Sequence, residues 1–131
     1  MSITTPAEEA AWVYSRLDQY DRQQRFDAAV SLAEWGVFSL RQVAKVVGLS
    51  HSAVAVAVRG KTDKTGGRFD PEALSALVAL LRARRKGEHI APDLVAEALD
   101  AGTGTSSYMA SKLTGIPRMQ LVRRYEKARK A

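Results

Sequence analysis

The chain has no cysteine and only two histidines. Without thiols there is neither a disulfide framework nor a thiolate metal site, which fits a reducing compartment. His51 and His89 lie far apart and have no partners at ligand spacing, so an imidazole metal centre is not expected either. No apolar run is long enough to span a bilayer, and no basic start leads into the apolar stretch of a signal peptide. The expectation is a soluble cytoplasmic protein with no membrane partner. There is no glycine-rich phosphate loop: the GTGT stretch at Gly102 lacks the lysine and the spacing of one. Tyr108 or Ser106 could be imagined as a recombinase nucleophile, but the basic cluster such chemistry needs is not in this chain. With no catalytic constellation in view, the reading is a non-enzyme with no cofactor and no metal.

What is present is helical punctuation and an uneven distribution of charge. The 131 residues are 46% hydrophobic, enough for one domain or two small ones. The net charge is +6. Residues 1–35 carry three arginines against six acids, a balance of −3. Residues 36–69 carry six basic side chains against Asp63 alone, giving +5, and residues 111–131 carry seven against Glu126 alone, giving +6. A polyanionic partner explains such segregation, while a solubility pattern with no partner is the plainer alternative.

Coarse periodicity predicts an all-α chain. Pro6 to about Gln23 reads as one helix and Phe26 to Trp35 as a second, ended by Gly36. Trp12, Trp35 and Phe38 are expected in the core. Asp70-Pro71 begins a helix running to Arg85 and stopped by Gly87, expected to connect two halves. Pro92 begins another, and helices over Ser106–Thr114 and Pro117–Lys130 close the chain around Gly115. The domains are placed at 1–69 and 70–131.

The segment Ser39–Gly60, SLRQVAKVVGLSHSAVAVAVRG, has the layout of a helix-turn-helix. Ser39 is an N-cap, Ala44 is small enough for a close helix crossing, and Gly48 follows four residues later for the turn. Val43, Val47, Leu49, Val54 and Ala57 fill the apolar positions, and Ser50 caps the second helix. AVAVAV taken alone alternates like a strand; the flanking caps favour a helix to about Val58. The outward positions are then Ser50, His51, Ser52, Ala55, Val56 and Arg59. Ser50 can offer its backbone N–H to a phosphate, and His51 and Ser52 can hydrogen-bond to base edges. For His51 a solvated helix cap is an equal alternative. Ala55 and Val56 suit a thymine methyl or simply close approach. Arg59 can read guanine or clamp a phosphate, with phosphate favoured. Lys61, Lys64 and Arg68 in the following loop are expected on the DNA backbone.

The C-terminal KLTGIPRMQLVRRY is a weaker copy, with Ser111 four residues before Gly115 and with Ala110, Ile116 and Leu121 at apolar positions. Arg124 stands where an apolar residue is usual, and Tyr125 beside it can supply the packing. Arg118, Gln120, Arg123, Lys127 and Lys130 are candidates to face DNA, with Arg118 and Arg123 the best placed for bases. A terminal packing helix with a solvated basic face is the alternative, less favoured. The alternative for the whole chain is a helical protein–protein interaction or dimerisation module, in which the apolar face Leu74–Leu81 is a dimer seam.

The order of elements, and the VAKVVGLSHSAVAVAVRG segment in particular, resembles the immunity repressors of temperate mycobacteriophages. That resemblance covers most of the chain. It implies an N-terminal helix-turn-helix domain joined by a linking helix to a small C-terminal DNA-binding unit. It further implies a sequence-specific transcriptional repressor that maintains lysogeny in the cytoplasm of a bacterial host by silencing lytic transcription. The chain would bind asymmetric double-stranded sites as a monomer. Ser50, His51, Ser52 and Arg59 would serve the first reader, and Arg118 and Arg123 the second.

Overall fold

Short polar side chains set where the helices begin. In a computed structural model, described over residues 5–58 and 67–130, the side chains of Thr5, Asp21, Ser39 and Ser106 each accept a backbone N–H three residues on, from Glu8, Gln24, Gln42 and Met109. Every regular element among the described residues is helical, so the protein is all-α. The chain divides into two compact units, Met1–Gly66 and Gly67–Ala131.

The first unit holds α1 (Pro6–Tyr14), α2 (Arg22–Ala33), α3 (Leu40–Val47) and α4 (His51–Val58). Helix α2 packs on both α3 and α4, and α1 packs on α2 and α3. Leu32, Phe38, Val43, Val46, Val47 and Val54 are fully buried between them. The predicted single helix from Pro6 to Gln23 is two elements. Helix α1 stops at Tyr14, a 3₁₀ turn covers Leu17–Gln19, and α2 starts at Arg22. The cause is a capping box: Asp21 accepts from the Gln24 N–H at 2.8 Å, and Gln24 Oε1 accepts from the Asp21 N–H at 2.8 Å. Phe38 is fully buried as expected, but Trp35 is 36% exposed beyond the end of α2.

The valine-alternating piece is helical. Residues two apart on a helix lie about 200° apart and residues four apart nearly coincide. Val54 and Val58 therefore share the buried face, while Val56 points to solvent.

The second unit holds α5 (Leu74–Arg85), α6 (Pro92–Asp100), α7 (Ser107–Thr114) and α8 (Arg118–Lys130). Helix α6 packs on α5 and α8, and α7 packs on α5 and α8. Helix α5, expected to connect two halves, is instead a core element of this unit. Leu74, Leu77, Leu80 and Leu81 are buried by a single chain, which leaves no open leucine seam along it. No helix among the described residues is long and apolar enough to cross a membrane.

Candidate nucleic-acid interface

The α3–α4 corner is built from local bonds. Gly48 takes φ +68°, a left-handed conformation that other residues adopt at a cost. Its N–H and that of Leu49 both donate to the Ala44 carbonyl, at 2.9 and 3.2 Å. The Arg25 guanidinium of α2 closes the turn from the side. It donates to the carbonyls of Val47 (3.4 Å), Gly48 (3.3 Å) and Leu17 (2.7 Å), so its charge sits at the negative end of α3. Helix α4 then begins with the Ser50 hydroxyl accepting from the Ala53 N–H at 3.2 Å, and Val54 anchors it with no exposure.

The same construction recurs 67 positions later. Ser39 matches Ser106, Leu40–Val47 matches Ser107–Thr114, Gly48 matches Gly115, and Val54 matches Leu121. Gly115 has φ +78° and donates to the Ser111 carbonyl at 2.8 Å. Ser111, which stands where Ala44 does, donates its hydroxyl to the Ile116 carbonyl at 2.7 Å. Arg84 of α5 donates to the Gly115 carbonyl at 3.0 Å, the part Arg25 plays at Gly48. Leu121, like Val54, is completely buried.

These anchors turn one flank of α4 and of α8 to solvent. On the first, Ser50, His51 and Ser52 are exposed, Ala55 is half-buried and Val56 is 71% exposed. On the second, Arg118, Gln120, Arg123, Lys127 and Lys130 are exposed. Arg118 Nε donates to Ser107 Oγ at 3.1 Å, which ties the start of α8 to the start of α7. Arg59, Lys61 and Lys64 lie outside the described residues. Arg68 is exposed but belongs to the second unit, not to a loop hanging from the first. Its carbonyl accepts from the Ser106 N–H at 2.8 Å, and its guanidinium lies beside Gly104.

Some of the positive charge is spent on the fold. Arg124 is half-buried and donates to the Ile90 carbonyl at 3.0 Å, which explains an arginine at a position that is usually apolar. Tyr125 is half-buried beside it; its hydroxyl donates to Asp100 at 2.7 Å and accepts from Arg129 at 2.8 Å. The Tyr125 hydroxyl, followed by the Asp100 charge, raises the Arg129 pKa above its ordinary value.

Several exposed side chains escaped the sequence reading. Arg41 and Lys45 lie four apart on α3. Met119 is 57% exposed at the position matching Ser52. Tyr108, considered above only as a nucleophile, is 41% exposed with Lys112 Nζ 4.4 Å from its ring centre. Counting forward from the two turn glycines is the signal that would have found Met119. By contrast, an open groove between α1 and α2 carries Glu9 and Asp27, the wrong charge for a polyanion. Among the described residues no group of three or more histidines and acids could hold a metal ion. Comparison with known proteins finds no matching family model, no matching curated protein and no matching solved structure.

Proposed function

We propose that this chain is a sequence-specific double-stranded DNA-binding protein whose two helix-turn-helix units, α3–α4 and α7–α8, read one asymmetric site from a single chain. Helices α4 and α8 enter the major groove, each held by its buried anchor. The observation that carries this reading is the recurrence, 67 positions apart, of one corner geometry in the two segments where positive charge collects. Two unequal readers on one chain need no palindrome, and tethering raises the local concentration of the second once the first has bound. The physiological role that fits is that of a transcriptional repressor of the phage-immunity type, acting in a bacterial host.

Burial of the Leu74–Leu81 face within one unit weighs against the dimerisation-module reading. The test is selection of the purified chain against random duplexes. Enrichment of a defined motif, with affinity that falls steeply as salt rises, supports the proposal. Retention of no duplex, or of all duplexes equally, overturns it.

A further inference from the structure

We propose that Val56 and Arg123 set the chemical difference between the two half-sites, Val56 taking a thymine methyl and Arg123 a guanine edge. This deepens the DNA-binding reading and rests on it. The two residues hold the same place: each lies two positions after its buried anchor, Val54 or Leu121, and so about 200° around the helix from the core. Folding gives no reason for a valine at the first of these places. Val56 is 71% exposed, more than any other large hydrophobic side chain among the described residues, and a β-branched residue restricts its own rotamers in a helix. Arg123 is exposed, whereas its neighbour Arg124 is bonded to the Ile90 carbonyl.

The surroundings suit the two chemistries. Ser52, one turn before Val56, and Ala55 beside it are short, so neither holds α4 away from a surface that Val56 is to touch. On α8 the matching neighbours are Met119 and Val122, which are longer, and Arg123 has the reach to cross the wider gap. In the major groove the thymine methyl is the apolar feature. Guanine N7 and O6 are the paired acceptors that an arginine fork bonds best. A polyanion suits both segments: residues 36–69 carry a net +5, with Arg41 and Lys45 exposed on α3, and residues 111–131 a net +6, with Arg118, Arg123, Lys127 and Lys130 exposed on α8.

The test uses the full chain and the duplex enriched by selection, with each thymine replaced in turn by deoxyuridine and each guanine by 7-deazaguanine. The expected result is one thymine whose demethylation weakens binding about fourfold, the worth of one buried methyl. One guanine whose N7 removal weakens it about tenfold should lie in the other half of the site. Val56→Ala should abolish sensitivity at that thymine alone, and Arg123→Ala at that guanine alone, with both variants keeping the parent's helical circular dichroism. Indifference to every thymine methyl, or a sensitive thymine that persists in Val56→Ala, overturns the inference while leaving DNA binding intact. Failure to enrich any duplex overturns the DNA-binding reading itself, and this one with it.

Discussion

The Arg25 guanidinium donates to the carbonyl oxygen of Gly48, from a helix 23 residues earlier in the chain. The same group lies 2.6 Å from where a Cβ on residue 48 would stand. Glycine is thus favoured at the first corner by its backbone angle, and a side chain there must also shift the end of the Arg25 side chain. At the second corner Arg84 holds the Gly115 carbonyl, but the space around a Cβ there is open.

The two glycines should therefore respond unequally to alanine. Gly115→Ala meets only the left-handed backbone penalty, about 1–2 kcal/mol. Gly48→Ala meets that penalty and must also shift the end of Arg25, which strains its bonds to Val47 and Gly48, so it should cost about 1 kcal/mol more. Chemical denaturation of the two variants measures the difference, and equal losses would contradict the role given to Arg25.

Arg25→Met keeps most of the aliphatic stem and removes the donors. The carbonyls of Leu17, Val47 and Gly48 then lose a charged partner, at a cost of about 1–3 kcal/mol. Hydrogen exchange should report the loss as faster opening at the α3–α4 corner. Unchanged protection at Gly48 and Leu49 would show that the turn closes without Arg25.

The anchors should separate stability from recognition. Leu121→Ala is expected to cost about 3 kcal/mol and Val54→Ala about 2 kcal/mol, because each empties a fully buried site. Arg118→Ala sits on the exposed flank and should leave the denaturation midpoint nearly unchanged while costing about 1–3 kcal/mol of binding if it pairs with a base. Loss of stability without loss of affinity in Arg118→Ala would place that side chain in the fold and not on DNA.

Lys127→Ala tests whether α8 meets the DNA backbone. It should weaken all duplexes alike and reduce the slope of log affinity against log salt by about 1. A sequence-dependent effect would instead make Lys127 a reader of bases.

Much of the architecture was legible because its signals are local. Ser39, Ser106, Gly48 and Gly115 mark helix starts and corners through bonds to residues within five positions, and those bonds form as expected. The break between α1 and α2 was legible in principle, since Asp21 and Gln24 have capping-box spacing, but the apolar rhythm on either side hid it. The placement of α5 was not legible, because a leucine face is the same sequence whether it meets its own unit or a second chain. Arg124 shows the limit on reading charge from sequence: a basic side chain in a charged stretch can bond a distant carbonyl, and only the fold decides that.

The most direct measurement is a footprint of the full chain on its selected duplex, with the complex weighed by native mass spectrometry. One chain protecting an asymmetric site longer than one helical turn is the predicted result. Two chains on an inverted repeat, or a single chain protecting one turn or less, would contradict the claim that both corners read the same site.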